Sequence, residues 1–337
     1  MANSSGGDAK ATDITPADQS SPERDPLAAG HSSAVVARTA AEIARALAAP
    51  LPPGLYLVAT PIGNLADITV RALATLSRCD VIYCEDTRHS RTLLSHYGVS
   101  VRLEAYHEHN GTRERPRILA RLAAGQRVAL ISDAGTPLIS DPGYKLVRDV
   151  AAAGHRIESL PGASAALTAL TSSGLPSDAF FFAGFLPNKP AARRSRATEL
   201  KSIPGTVIFF EAPSRVADSL ADLAAVMGPR PAAVARELTK RFETILRGPL
   251  NELALAFADQ DARGEFVILI GPQPPTEATD DDIADALSAA LENMSLRDAA
   301  KTVAERLAVP KSRVYDLGLD LQKSLSQPDE PVTEDGT

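Results

Sequence analysis

From Leu55 onward, short apolar runs alternate with stretches of helical character, and this alternation constrains the chain more than any other feature. The runs Leu55–Thr60, Val81–Glu85, Val101–Ala105, Val128–Ser132 and Arg156–Leu160 read as strands. Helical stretches near 67–78, 88–97, 112–124 and 143–153 separate them. Strands spaced by helices predict a parallel or mixed sheet with helices on its faces. A helix near 163–173 leads into a second set of strands, Phe180–Phe185, Val207–Glu211, Ala232–Glu237, Thr244–Arg247 and Phe266–Ile270. Helices near 190–202, 214–226 and 250–259 accompany that set. The expectation is two α/β domains, 54–162 and 163–273, which fits 337 residues.

The flanks read differently. Residues 1–53 form an N-terminal tail. Its first 33 residues are rich in Ser, Asp, Ala, Gly and Pro and are expected to be disordered, with a short Ala-rich helix over 34–49. Pro50, Pro52, Pro53 and Gly54 break the chain before the first strand. Residues 274–294 read as an acidic linker and helix. Leu296, Ala300, Val303 and Leu307, a turn at Pro310, then Val314, Leu317 and Leu321 predict a helix–turn–helix unit over 295–323. Residues 324–337 are expected to be disordered.

The net charge of −7 looks wrong for a nucleic-acid enzyme, but it is unevenly placed. Residues 1–50 carry −2 and residues 273–337 carry −8, which leaves +3 on the body. Whole-chain charge therefore misleads. Lys189, Arg193, Arg194, Arg196 and Lys201 make 187–201 net +4, either a solvated helix face or an RNA phosphate contact. The helix–turn–helix core is net +2, and its acidic flanks disfavour independent DNA binding. Cys79 and Cys84 have no ligand partners at metal spacing, so they read as reduced core thiols and no metal site is expected. No apolar run is long enough to span a membrane, and the N-terminus lacks a secretory pattern. A cytoplasmic protein is expected.

Several signatures are absent. No GxGxxG follows the first strand, no GxxxxGK[ST] occurs, and Gly162–Ala166 lacks the second glycine of a nucleophile elbow. Three loops that follow strands stand out instead: Thr60–Leu65, Ser132–Gly143 and Pro161–Ala165. Open α/β sheets bind ligands at such strand ends. Small residues let a ligand approach the backbone, and a helix start offers free N–H groups. Taken singly, the first and third are ordinary turns as readily as ligand loops.

TPIGNLADIT (60–69), EDTR (85–88), SDAGTPLISDPGY (132–144), GLPSD followed by FLP and an arginine pair, and ARELTK followed by ET occur in one order. Together they resemble the ribosomal RNA small subunit methyltransferase I family, of the tetrapyrrole-methylase fold class, over about residues 54–322. One departure is His109-Asn110-Gly111, where an acidic residue is expected after the asparagine. The resemblance implies a two-domain tetrapyrrole-methylase-like fold with S-adenosylmethionine held in a cleft between the domains. It implies cofactor contacts from Pro61, Ala134, Gly135, Thr136, Ile139, Ser164 and Ala165, and from Phe210, Glu211, Ala235 and Arg236. It implies 2′-O-methylation of a cytidine in the decoding region of small-subunit ribosomal RNA, by a homodimer as is common in this fold class. Separately, the mild +3 charge of the body predicts that assembled small subunits are methylated better than naked RNA.

A 2′-hydroxyl must lose its proton, so a base or a neighbouring cation should assist. Glu85, Asp86, Arg88, Glu237 and Lys240 lie in strand-end loops. Arg88, Lys240 and Glu237 are the catalytic candidates, and the base among these groups stays open. Lys189, Arg193, Arg194 and Arg196 are the RNA-binding candidates. Two competing readings are a tetrapyrrole C-methyltransferase of the same fold and a non-catalytic RNA-binding protein. The basic segment and the appended helices argue against the first. Cofactor binding by the body discriminates the second.

Overall fold

The computed structural model describes residues 26–258, 261–274, 278–307 and 309–326. The expectations for 1–25 and 327–337 lie outside these residues. The chain divides into two units, one of residues up to Thr168 together with Glu237–Glu243, the other of Ala169–Arg236 and the residues from Thr244 onward. The division falls inside a helix, a few residues beyond the expected 162/163 boundary, and the return of 237–243 to the first unit was not foreseen.

The first unit opens with α1 (Pro26–Ala48), so residues 26–33 are helical rather than irregular. Five parallel strands follow: β1 (Gly54–Val58), β2 (Val81–Cys84), β3 (Leu103–Ala105), β4 (Arg127–Ile131) and β5 (Ile157–Leu160). Their order in the sheet is β3-β2-β4-β1-β5. Successive strand side chains point to opposite faces, and both faces are covered. Leu55, Leu57, Tyr83 and Leu130 pack with Ile118 and Leu122 of α4 (Gly111–Ala123) and Leu146 and Val150 of α5 (Tyr144–Ala152). Tyr56, Val58, Ile82 and Ile131 pack with Ala72 and Leu76 of α2 (Val70–Leu76) and Leu94 of α3 (Thr87–His96). Each fully buried side chain of this size contributes about 1.5–3 kcal/mol. Burial on both sides explains why β1 is uninterruptedly apolar. Cys79 and Cys84 are free buried thiols, and desolvation pushes the Cys79 thiol up to about 12.

Neighbouring strands β1 and β4 hand the chain to helices on opposite faces of the sheet, α2 and α5. Such a divergence opens a crevice at the C-terminal strand edge. The fold thus places the loops after β1 and β4 side by side.

The second unit contains a mixed sheet, ordered β6-β7-β10-β8-β9. Its strands are β6 (Phe180–Phe185), β7 (Thr206–Glu211), β8 (Pro231–Arg236), β9 (Thr244–Pro249) and β10 (Phe266–Ile270). Only β6 and β7 are parallel. α6 (Ala165–Ser173) runs into this unit, and α7 (Pro190–Leu200), α8 (Val216–Met227) and α9 (Leu250–Phe257) belong to it. Leu220 and Leu223 of α8 and Leu250 and Phe257 of α9 share one core with Val207, Phe209, Ile268 and Ile270 of the sheet.

Beyond the sheet lie three helices: α10 (Asp280–Leu291), α11 (Leu296–Leu307) and α12 (Lys311–Ser326). Ile283, Leu287, Ala300, Val303 and Val314 form their shared core. Asp280, Asp281 and Asp282 are the first turn of α10, not an unstructured acidic linker. Thr279 and Asp282 form a reciprocal capping box, and acidic side chains there favour the positive end of the helix dipole.

Candidate active site

In the first unit the three strand-end loops are joined to one another. Thr60 and Gly135 exchange backbone hydrogen bonds of 3.0 Å in both directions. The Thr60 hydroxyl donates to the Ser132 carbonyl at 3.0 Å, and the Thr136 hydroxyl donates to the Ala163 carbonyl at 3.0 Å. A Cβ on Gly162 would stand 2.7 Å from the Ala59 Cβ. Pro61 and Gly135 are buried, while Ala134 and Ile139 are exposed at the rim. Gly135 has φ +79°, a region glycine enters without cost. Leu138 and Ser140 are also left-handed, at φ +74° and +63°. Non-glycine residues pay for that conformation, and it persists where the surroundings over-determine it. Ser164 and Ala165 stand at the start of α6.

Acidic groups border these loops. Asp133 accepts from the Asp86 backbone N–H at 3.2 Å, and the Ser132 hydroxyl donates to Asp141. Burial, then the charges of Asp133 and Asp141, raise the Glu85 carboxyl above the ordinary range. Burial likewise raises Asp141, against the bond from Ser132. Asp86 caps α3 through the Arg88 N–H, as its N-cap reading anticipated. The Arg88 side chain extends into solvent, 90% exposed, with Asp86 3.6 Å away.

A raised folded-state pKa on an acid gives stability that is complete below the unfolded carboxylate value, about 4, and is lost as pH rises through the folded value. Asp141→Asn is therefore expected to lose less stability than the parent chain as pH rises from about 4. Urea melts across pH check this, and parallel curves for the two proteins would refute the placement of Asp141.

The segment Glu237–Glu243 completes the first unit. Glu237 and Thr239 are left-handed, at φ +51° and +64°. The Thr239 hydroxyl accepts from the Asn64 N–H at 3.1 Å, and the Thr239 N–H donates to Glu243 at 2.6 Å. Lys240 lies against the 60–65 loop so closely that a Cβ on Gly63 would meet its Cγ at 2.4 Å. Its Nζ donates to Glu237 Oε1 at 2.9 Å. The catalytic candidates Glu237 and Lys240 are thus one pair, packed against the same loop that carries Pro61.

The second unit holds Phe210, Glu211, Ala235 and Arg236. Phe210 is half-buried at the end of β7, edge-on to Phe182 with centroids 4.8 Å apart. The Arg236 Nε donates to the Arg263 carbonyl at 2.7 Å. Glu211 departs from the expected role. Its carboxylate is buried and accepts from Ser219 Oγ at 2.6 Å, Arg215 Nη2 at 3.2 Å and the Ala212 N–H at 2.8 Å. A carboxylate so committed ties β7 to α8 and has little left for a ligand.

The basic segment also divides. Arg193 is 3% exposed and donates to Asp222 at 2.6 Å, so it faces the protein and is no phosphate contact. That side of α7 packs on α8. Arg194 is exposed although it shares Asp222 at 2.9 Å, and Arg196 pairs with Glu199 at 2.8 Å. Lys189 is the exposed N-cap of α7. The double variant Lys189→Glu, Arg194→Glu is expected to weaken RNA binding and to flatten its salt slope by about 1.4, at roughly 0.7 per single-strand phosphate. A salt titration that returns the parent slope would leave α7 a solvated helix.

The open parallel sheet with joined strand-end loops, followed by a mixed sheet, defines the tetrapyrrole methylase class: the model of Tetrapyrrole (Corrin/Porphyrin) Methylases matches residues 54–254. The RsmI C-terminal HTH domain matches residues 277–322. The fold is shared with diphthine synthase (TM-score 0.51, 16% identity, 65% of this chain and 89% of that one). It is shared also with a conserved hypothetical protein from Aeropyrum pernix K1 (TM-score 0.52, 17% identity, 84% of this chain and all of that one). Proteins named Ribosomal RNA small subunit methyltransferase I are much more similar in sequence. The one from Mesorhizobium japonicum is 51% identical over 84% of this chain and 97% of its own length. That from Escherichia coli O157:H7 is 46% identical over 80% and 95%. The chain belongs to the ribosomal RNA small subunit methyltransferase I family.

Proposed function

We propose that this chain transfers the methyl group of S-adenosylmethionine to the ribose 2′-hydroxyl of a cytidine in the decoding region of small-subunit ribosomal RNA. The observation that carries this reading is the joining of the 60–65, 132–143 and 161–165 loops in a chain 51% identical to a relative so named. The residues fit the cofactor. Gly135 carries no side chain, the neighbouring Ala134 and Thr136 are small and uncharged, and Ser164 and Ala165 stand where the chain enters α6. Pro61, Ala134, Gly135, Thr136, Ile139, Ser164 and Ala165 are the proposed contacts, to which the family resemblance adds Phe210, Ala235 and Arg236. The cofactor supplies a methyl group on a sulfonium sulfur, which leaves as a neutral thioether.

The 2′-oxygen forms its bond to the methyl carbon as the carbon–sulfur bond breaks in line, and its proton needs an acceptor. Glu85, exposed just after β2, is the proposed acceptor: partial desolvation and the charges of Asp133 and Asp141 raise its proton affinity, and its exposure leaves it within reach of a substrate. Lys240, held by Glu237, and the solvent-exposed Arg88 supply positive charge beside the developing alkoxide and the RNA backbone. A body of only +3 grips a long RNA weakly, which supports the assembled small subunit as substrate. A homodimer in the cytoplasm completes the proposal; among the described residues no helix is long and apolar enough to cross a membrane.

The test is mass spectrometry of ribosomal RNA from a strain lacking the gene. One cytidine ribose methyl in the small subunit should disappear and return with the gene. A full complement of ribose methyls in the deletion strain would reject the substrate assignment. Labelled cofactor with purified small subunits gives the same answer in vitro, and label on a uroporphyrinogen-type substrate instead would favour the tetrapyrrole reading.

A further inference from the structure

We propose that Phe242, with the Arg241 guanidinium laid on it, is a stacking platform for a nucleobase of the RNA strand beside the methylated nucleotide. This rests on the RNA-methyltransferase reading above. Phe242 is 66% exposed near the C-terminal end of the Glu237–Glu243 segment, two residues before β9. An exposed phenyl ring on a short loop forfeits the burial that usually justifies it. The backbone around it is fixed by its own contacts. Two left-handed non-glycine residues, Glu237 and Thr239, shape the turn. Three contacts then fix it: Thr239 to Asn64, Glu243 to the Thr239 N–H, and Lys240 to Glu237. The Arg241 guanidinium carbon lies 5.5 Å from the ring centroid, which orients a cation over an aromatic face.

An aromatic ring beside an arginine, both exposed, is the chemistry that receives an unstacked base and its phosphate. The same seven residues carry the Glu237–Lys240 pair and contact the 60–65 loop. A base held on Phe242 is therefore registered against the residues proposed to serve the reaction. The chain has no Trp and 4% aromatic residues, so base stacking, where it occurs, rests on very few side chains.

The experiment compares Phe242→Ala and Phe242→Trp with the parent chain. It measures KM and kcat on small subunits, cofactor affinity by calorimetry, oligomeric state by light scattering, and binding of a fluorescent single-stranded RNA oligonucleotide. Loss of one aromatic stack is expected to raise KM and weaken oligonucleotide binding by about tenfold. The cofactor Kd and oligomeric state should stay unchanged, and Phe242→Trp should stay within about twofold of the parent chain. Unchanged KM and oligonucleotide affinity in Phe242→Ala would overturn the proposal. So would a change of oligomeric state, which would make Phe242 a contact between copies. If the parent chain methylates no subunit, the functional reading fails on its own, and oligonucleotide binding still decides the role of Phe242.

Discussion

Gly135→Asp is expected to abolish S-adenosylmethionine binding while the rest of the first unit stays folded. Gly135 sits at φ +79°, where an L-residue costs about 1–2 kcal/mol, although Asp tolerates the region better than most. Its Cβ would lie 3.2 Å from Ile62 Cγ2 and 3.6 Å from the Ala163 carbonyl, tight but not prohibitive. The carboxylate would then stand where the 60–65, 132–143 and 161–165 loops meet, close in sequence to Asp133. Bulk and a second negative charge there leave no room for a nucleoside against the backbone. Calorimetry reads the affinity, and a thermal melt separates lost binding from lost folding. Gly135→Ala is the control for backbone strain alone and should retain measurable affinity. A folded Gly135→Asp protein that binds cofactor as before would remove the ligand from these loops.

Glu211→Ala is expected to lower stability by about 3–5 kcal/mol, the range seen when one partner of a buried charged pair is removed. That is a large share of the roughly 5–15 kcal/mol by which folded domains are stable. The loss has two parts. Ser219, fully buried, is left without its acceptor, and the Arg215 guanidinium loses its carboxylate. Glu211→Gln keeps an oxygen for Ser219 and should cost distinctly less. Denaturant unfolding of the three proteins measures the series. The family resemblance placed Glu211 among the cofactor contacts, so the same variants discriminate the two roles. Stability near that of the parent, with cofactor affinity lost, would restore the ligand role.

The first unit was legible because its signal is periodic. Both faces of the parallel sheet are covered, so β1, β2 and β4 read as short, nearly unbroken apolar runs, and the regular alternation with helical stretches and turn residues between them marks them as strands. The loops stood out through the density of glycine, proline and small residues around Gly135 and Gly162, although the first and third, taken singly, read as ordinary turns as readily. What the text hid was direction. Arg193, Arg194 and Arg196 look alike in a row, yet Leu200 and Ala197 turn one face of α7 inward, and Arg193 goes with them to meet Asp222. Only the position of Asp222 on a separate helix, 29 residues on, decides this. Glu211 was hidden for the same reason, since Ser219 and Arg215 become its partners only when α8 folds back. A helix within 274–294 was expected, but its start was not: Thr279 and Asp282 stand at capping-box spacing, so Asp280, Asp281 and Asp282 open α10 and are not a linker before it. Phe242 carried no periodic signal at all, because its significance lies in being left outside the core.

The return of Glu237–Glu243 to the first unit has a consequence for the order in which the protein is made. Synthesis runs from the N-terminus, and the parallel sheet is fully translated once β5 has emerged. At that moment the Asn64 N–H has no Thr239 hydroxyl to donate to, and Gly63 has no Lys240 lying across it. Seventy-odd further residues must leave the ribosome before the 60–65 loop acquires those partners. A nascent chain arrested before Glu237 therefore displays a parallel sheet whose 60–65 loop lacks these partners. The first unit is completed in two stages, and that loop gains its Thr239 and Lys240 contacts only in the later one.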